Sequence, residues 1–189
     1  MDLIARITDK EIGEEIINYE GLLTRVASRG IVLNDNDEIA IFYKKNKNEY
    51  KLPGGGMEEN ETKEECFKRE VLEETGCNVE IITYMGYTEE IKSKMNFIQT
   101  SHVFISKVVN DTKKLHLTQK ETDEGGELIW LSPQVALKSI SKCFNELVAS
   151  KYDSVYSTKF IIKRDKAILE EYITKYIENK KEFIDFIHC

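Results

Sequence analysis

Residues 55–77 read GGMEENETKEECFKREVLEETGC, and they carry the strongest structural signals in the chain. A run of three glycines, Gly54–Gly56, stands at the start of this stretch, and glycine adopts backbone conformations that are closed to other residues. Thr62 and Glu65 then form a capping-box pattern, and good helix formers run from Lys63 to Thr75 before a glycine, the usual C-terminal stop. The stretch therefore predicts a glycine loop that leads directly into a helix.

Acidic residues dominate the same stretch, with eight acidic and three basic residues between Glu58 and Glu74. Glu70, Glu73 and Glu74 stand at positions i, i+3 and i+4, so their side chains emerge on one face of the predicted helix. Like charges this close destabilise a helix unless a cation neutralises them, and carboxylate oxygens select hard ions such as Mg²⁺ or Mn²⁺. The alternative interpretation of such a charge run is a solvated helix face.

The composition is that of an ordinary globular protein with an acidic balance. The 189 residues include 34 acidic and 27 basic ones, which gives a net charge of −7 at pH 7. No stripe of Lys and Arg stands out, which argues against a nucleic-acid coat.

No apolar run reaches the length of a membrane span, and the first residues lack the pattern of a signal peptide, so we expect no membrane association and a cytoplasmic location. Four cysteines form no CxxC pair, and we expect reduced thiols.

Further elements are predicted on both sides of this stretch. Five segments are rich in strand formers: residues 22–33, 39–43, 78–84, 97–109 and 127–131. The first two flank a turn at 34–37, which predicts a hairpin, because the glycine and glutamate of a calcium loop are missing from their required positions. Ser132 and Pro133 are a sound helix opening. Strands flanked by helices without regular alternation predict a mixed α/β sandwich.

The tail carries apolar residues at helical spacing: Ile168, Leu169, Tyr172, Ile173, Tyr176 and Ile177. Charged residues stand mostly on the other side, so the tail predicts an amphipathic helix. Two partners for its apolar face stay open at this point: the domain itself, or a second subunit in a homodimer.

The pattern in residues 55–77 resembles the signature of the Nudix hydrolases. It matches at every fixed identity: Gly55, Glu61, Arg69, Glu70, Glu73, Glu74 and Gly76. Cys77 stands where the family usually carries an aliphatic residue, and a buried thiol behaves as a small hydrophobe. The resemblance implies a Nudix-like α/β/α sandwich with a mixed sheet over residues 22–145. Residues 1–21 would then be an N-terminal extension, and 146–189 a C-terminal helical extension that packs on the domain or on a partner subunit.

The resemblance also implies roles for individual residues. The carboxylates of Glu70, Glu73 and Glu74, which are also the expected catalytic residues, would bind Mg²⁺ (or Mn²⁺) together with the Gly54 carbonyl. The structural support of the site would come from Arg69, Glu61, Gly55 and Gly76. A further catalytic carboxylate would come from a loop before the Trp130 strand, where Glu121, Asp123, Glu124 and Glu127 are candidates, with Glu121 and Glu124 preferred. The general base could be one of these or a helix glutamate.

The implied activity is hydrolysis of a diphosphate linkage in a nucleoside diphosphate linked to X, a small-molecule substrate, by metal-activated water. The group X stays open, because the chain's only prolines are Pro53 and Pro133, so the proline typical of the ADP-ribose subgroup is missing. The alternative is a non-catalytic nucleotide sensor on the same scaffold. Five basic residues near the strands and loop could touch substrate phosphates: Arg25, Arg29, Lys44, Lys45 and Lys51. The three histidines, His102, His116 and His188, are expected to be surface or structural residues.

Overall fold

The fold is described from a computed structural model, in which residues 2–17 and 21–178 are described. These residues form eight strands: β1 (Leu3–Ile7), β2 (Leu23–Leu33), β3 (Ile39–Lys44), β4 (Glu49–Lys51), β5 (Gly54–Gly56), β6 (Cys77–Lys92), β7 (Phe97–Asp111) and β8 (Gly126–Leu131). They also form four α-helices: α1 (Lys63–Thr75), α2 (Gln119–Asp123), α3 (Pro133–Cys143) and α4 (Val155–Tyr172). A π-helical segment, Ile173–Glu178, continues α4.

All eight strands belong to one mixed sheet. Its order is β1-β6-β7-β2-β3-β4, with β5 paired to β2 and β8 paired to β3. Two strand pairs are parallel, β1 with β6 and β2 with β7, and the remaining pairs are antiparallel. Residues 3–7, for which the sequence predicted no strand, thus add an edge strand to the sheet.

Helices cover both faces of the sheet. On one face Phe67 and Val71 of α1 pack with Val32 of β2, and all three side chains are fully buried. On the other face Ile31 of β2 packs with residues of α3 and α4, including the buried Ile168. Ile31 and Val32 serve opposite faces because side chains alternate along a strand. The predicted α/β/α sandwich with a mixed sheet is confirmed.

The predicted hairpin of β2 and β3 forms, but it is short. Only Leu33 and Ile39 are paired between the two strands. The turn between them does form, since the Asn34 side-chain oxygen accepts hydrogen bonds from the backbone N–H groups of Asn36 (2.9 Å) and Glu38 (3.0 Å). Beyond the turn, β2 pairs with β7 along its whole length and β3 pairs with β8. The strands separate after one residue pair because, on the edges that face each other there, β2 goes on to pair with β5 and β3 with β4.

Helix α1 begins and ends where the sequence predicts. The Thr62 side chain accepts a hydrogen bond from the Glu65 backbone N–H at 3.2 Å, and the Glu65 carboxylate accepts one from the Thr62 backbone N–H at 2.8 Å. Gly76 takes a left-handed conformation with φ of 70° at the other end. Helix α3 also opens where the sequence predicts, with Ser132 at the cap position and Pro133 as the first helical residue, although the Ser132 side chain makes no capping hydrogen bond.

Helix α4 and its π-helical continuation pack on the sheet of the same chain. Ile168 and Leu169 are fully buried in the core, and Tyr172 and Ile173 are nearly so. This contact accounts for the apolar face of the tail within one chain, and a homodimer stays a prediction. Among the described residues, none of the helices combines the length and apolar character needed to cross a membrane. His188 and Cys189 lie outside the described residues.

Candidate active site

The glycine strand β5 fits into a space that no larger residue could enter. It lies antiparallel on β2, with Gly54 opposite Arg29 and Gly55 opposite Ser28. A Cβ atom on Gly55 would collide with the carboxylate of Glu70, and one on Gly54 would collide with the Ser28 carbonyl. Gly54 also has a φ of 142°, which other residues rarely adopt. The glycines therefore let the backbone lie directly against the acidic face of α1.

Arg69 ties this strand to the helix. Its Nε and Nη2 atoms donate to the two carboxylate oxygens of Glu61 at 3.1 and 2.8 Å, a bidentate arrangement. Nη2 also donates to the Gly56 carbonyl at 3.1 Å. The hydrogen bonds from Arg69 lower the pKa of Glu61 to about 2, so the carboxylate stays charged. This geometry is what the supporting role predicted for Arg69 and Glu61 requires.

The three glutamates of α1 that are expected to bind metal, Glu70, Glu73 and Glu74, are each held by a cation of the chain. Arg69 Nη1 donates to Glu70 at 2.9 Å and to Glu73 at 3.3 Å. Lys51 Nζ donates to Glu74 Oε1 at 2.5 Å, and the Gly54 backbone N–H donates to Glu74 Oε2 at 2.9 Å. Lys51 Nζ also lies 3.5 Å from the Gly54 carbonyl oxygen. The ammonium group thus sits between two of the groups that the resemblance assigns to a metal ion.

The donor set fits a hard divalent ion. Carboxylate and carbonyl oxygens are the ligands that Mg²⁺ and Mn²⁺ prefer. Burial raises the pKa of Glu74 to about 7, and burial, helped by the charge of Glu70, raises the pKa of Glu73. Both shifts show that negative charge is costly here and that an added cation would relieve it. Within the described part of the chain, no three such side chains converge on one point, and each carboxylate contacts Arg69 or Lys51.

The structure separates the two preferred loop carboxylates. Glu121 lies in the short helix α2 and not in a loop, and it lines a cavity together with Gly54. Its charge contributes to the raised pKa values of Glu73 and Glu74, which places it near them. Glu124 is 2% exposed, pairs with Lys44 and accepts a hydrogen bond from Ser150.

The other two candidates from that region have different surroundings. Asp123 pairs with Lys151 at the surface, where it also accepts a hydrogen bond from Tyr152. Glu127 lies in β8 opposite Tyr43. The structure thus brings Glu121, of the four candidates, to the helix glutamates.

A cavity of about 490 Å³ opens beside β5 and Glu121. Its lining is strongly basic: Arg25, Arg29, Lys44, Lys51, Lys92, Lys120 and Arg164. Four of these were among the five basic residues singled out from the sequence, and Lys45 is not part of the lining. Lys92, Lys120 and Arg164 were missed, since no motif marks them. A chain of net charge −7 therefore surrounds this cavity with cations.

Helix α4 supports the site from behind. Asp165 is fully buried, and its carboxylate accepts a hydrogen bond from the Leu52 backbone N–H at 2.9 Å, two residues before Gly54. The preceding residue, Arg164, lines the cavity. The tail periodicity revealed the apolar face of α4 but gave no signal for these two charged residues.

One cysteine of the described residues touches this arrangement: the Cys66 Sγ atom lies 3.7 Å from the Gly55 carbonyl oxygen and 3.8 Å from Arg69 Nη2. His102 contacts the Tyr84 hydroxyl at 2.9 Å, and burial lowers its pKa. Cys66, Cys77 and Cys143 are buried free thiols.

Comparison with known proteins identifies relatives of this chain. The sequence model of the NUDIX domain matches residues 23–148. A protein of Bacillus subtilis (strain 168), described as "Putative 8-oxo-dGTP diphosphatase", is 30% identical over 103 residues, which are 54% of this chain and 63% of that protein. The chain thus matches less than two thirds of that relative's length.

Two solved structures share the fold. A NUDIX hydrolase from Nitrosomonas europaea has a TM-score of 0.57 at 15% identity, over 80% of this chain and 90% of that one. A UDP-X diphosphatase has a TM-score of 0.52 at 17% identity, over 82% of this chain and 65% of that one. At these identities the likeness establishes the architecture alone.

Proposed function

This chain belongs to the Nudix family, and from that premise we propose that it is a divalent-metal-dependent hydrolase of a diphosphate linkage in a nucleoside diphosphate linked to X. The observation that carries the proposal is the position of Glu70, Glu73 and Glu74 beside a glycine strand at the edge of a basic cavity. Acidic oxygens suit a metal ion, and surrounding cations suit the phosphates of a substrate. The acidic half of the site thus suits the metal ion, and the basic half suits the substrate.

In the proposed mechanism each group of site residues has one task. Glu70, Glu73, Glu74 and the Gly54 carbonyl would hold Mg²⁺ (or Mn²⁺), which when bound neutralises phosphate charge and supplies a water of lowered pKa. Arg69 keeps the acidic face of α1 in register with β5. The basic residues of the cavity orient the diphosphate.

We assign the general base to Glu121 in preference to Glu124. Glu121 lines the cavity, and Thr118 fixes its carboxylate through a hydrogen bond of 2.9 Å from the backbone N–H. Glu124 is held by Lys44 and Ser150 and is almost fully buried. A base must reach the proton that it removes, so a carboxylate with an open path to the cavity suits the task.

The proposal names a class of substrate and leaves the identity of the group X open. The names of two related proteins point to 8-oxo-dGTP and to UDP-X, which share a nucleoside that carries a diphosphate. We propose the same shared unit for this chain, as a small-molecule substrate met in the cytoplasm.

The test is phosphate-product release over nucleoside triphosphates, nucleotide sugars, ADP-ribose and dinucleotides, with Mg²⁺, Mn²⁺ or a chelator. We compare the wild type with Glu73→Gln and with Glu80→Gln, an exposed glutamate of β6 that serves as the matched control. Glu73 has a side chain that is 38% exposed, so its replacement should leave the fold intact. We expect metal-dependent release that falls at least a hundredfold in Glu73→Gln alone.

Equal activity in Glu73→Gln, or full activity in the chelator, would contradict the proposal. The alternative function, a nucleotide sensor without turnover, predicts tight nucleotide binding by the wild type and no product with any member of the panel.

A further inference from the structure

Five charged side chains are buried in the wall of the basic cavity or next to it. They are Arg29 of β2, Glu90 and Lys92 of β6, and Arg164 and Asp165 of α4, and each is more than nine-tenths buried. Charges that are removed from water are tolerated only when they are paired and hydrogen-bonded. We therefore ask which charges of this buried charge cluster are paired with one another.

Both carboxylates of the cluster contact cations of the cluster. Arg164 Nη1 donates to Glu90 at 2.9 Å, and Arg164 Nε donates to Asp165 at 2.7 Å. Lys92 Nζ lies 3.1 Å from the second oxygen of Glu90. The other oxygen of Asp165 accepts the Leu52 backbone N–H described above. Arg164 and Lys92 thus account for the two negative charges.

Arg29 is the cation left over. It is 4% exposed, and its Nε atom is buried with no hydrogen-bond partner among the described residues. Burial and the nearby charge of Arg164 lower the pKa of Arg29 to about 10, so it still carries its charge at neutral pH. The cluster therefore holds three cations against two carboxylates, a surplus of one buried positive charge.

The surplus charge faces space that a ligand can enter. Arg29, Lys92 and Arg164 all line the same cavity as the glycine strand. The acids of the cavity wall interact with other cations: Asp153 pairs with Lys120 at 2.7 Å, and, against the opposing effect of burial, Lys51 and Lys44 lower the pKa of Glu121. An unpaired guanidinium on a cavity wall is suited to an oxyanion, because it offers charge and several donors at once.

We propose that Arg29, Lys92 and Arg164 form an oxyanion subsite that binds a phosphoryl or carboxylate group of the substrate. The helix α4, which follows the end of the matched NUDIX domain at residue 148, is then part of the substrate site. The inference rests on the proposed function in one respect, namely that the oxyanion belongs to the substrate of the hydrolase.

The test measures anion binding without metal. Inorganic phosphate and acetate are titrated in a chelator at constant ionic strength, by calorimetry and by the shift of the thermal midpoint. The variants are Arg29→Met and, as matched control, Arg6→Met, an exposed arginine of β1 whose partner is Glu89.

We expect the wild type to bind phosphate, acetate or both, and the arm that binds identifies the group as phosphoryl or carboxylate. Arg29→Met should lose at least tenfold in affinity and should also raise the thermal midpoint without anion, because it removes an unpaired buried charge. Arg6→Met should change neither quantity. A merely structural arginine would lower the midpoint and leave anion binding unchanged, and that result would overturn the inference, as would no binding of either anion by the wild type.

The design separates this inference from the proposed function. Glu73→Gln should bind the anion as the wild type does, because the titration contains no metal. Loss of binding in Arg29→Met without turnover by any form of the protein would keep the subsite and reject the hydrolase. Metal-dependent turnover with unchanged anion binding in Arg29→Met would do the reverse.

Discussion

Lys51 shows how a single residue can stabilise an acidic site in the absence of metal. Its ammonium group contacts Glu74, which is 2% exposed, and lies 3.5 Å from the Gly54 carbonyl oxygen. A carboxylate buried to this degree needs a positive charge close by. Because the proposed metal ion would use the same oxygens, Lys51 and the ion are alternative partners of Glu74.

The substitution Lys51→Met tests this exchange of partners. Without the ammonium, Glu74 is left buried and unpaired, and we expect the free energy of unfolding in a chelator to fall by about 3 kcal/mol. Mg²⁺ should then raise the thermal midpoint of Lys51→Met more than that of the wild type, because the ion replaces the missing charge. The measurement is thermal unfolding with and without Mg²⁺. Lys68→Met, at an exposed position of α1, is the control, and equal Mg²⁺ shifts in all three proteins would contradict the idea.

Helix α4 shows that a single element can serve both the core and the site. Its apolar residues belong to the core cluster that also contains Ile31 of β2 and Ile140 of α3. Its charged residues Arg164 and Asp165 reach the cavity and the residue pair before the glycine strand. The helix therefore contributes to the core and to the site, although it lies outside the matched domain.

Ile168→Ala measures the contribution of α4 to stability. The side chain is fully buried, so its truncation leaves a cavity and should lower the free energy of unfolding by about 2 to 5 kcal/mol. Val135→Ala, at a position of α3 that is 47% exposed, should cost less than about 0.5 kcal/mol. Urea unfolding of both variants checks this. Similar small losses in the two would mean that α4 is an appendage and not part of the folding unit.

The elements also show what a sequence can predict and why. Helix α1 was predicted to the residue, because its start and stop signals are local: Thr62 with Glu65 at one end and Gly76 at the other. The pairing of β2 with β7 was not predicted, because β7 lies some 70 residues away and nothing in a single strand specifies a distant partner. In the site, the spacing of the α1 glutamates placed them on one face. The cations that hold them, such as Lys51, reach them only through the folded sheet.

Across the whole molecule, basic residues are concentrated around one cavity although the net charge is negative. The chain has a net charge of −7, yet seven basic residues surround one cavity. Under that cavity Glu90 and Asp165 hold Arg164 in place from two different elements, β6 and α4. Since the Glu90–Arg164 pair joins parts of the chain that are 74 residues apart in sequence, the protonation of Glu90 should affect the stability of the entire fold.

The pH dependence of unfolding follows from Glu90. Burial by itself would raise the pKa of this carboxyl group, but Arg164, Lys92 and Arg29 together lower it to about 2, against 4.5 for an unperturbed glutamate. A lowered carboxyl pKa stabilises the fold above the unfolded value, and this contribution is lost as the pH falls from 4.5 towards 2. Its size is about 3 kcal/mol by the linkage relation.

Glu90→Gln should therefore be less stable than the wild type at pH 7, and the difference should shrink by more than half at pH 3. Urea unfolding in a chelator at pH 7, 4.5 and 3 measures it, with Glu80→Gln as the exposed control that should match the wild type throughout. A difference between Glu90→Gln and the wild type that stays constant with pH would show that the role of Glu90 is packing. Convergence at low pH would instead show that its charge joins β6 to α4 beneath the cavity.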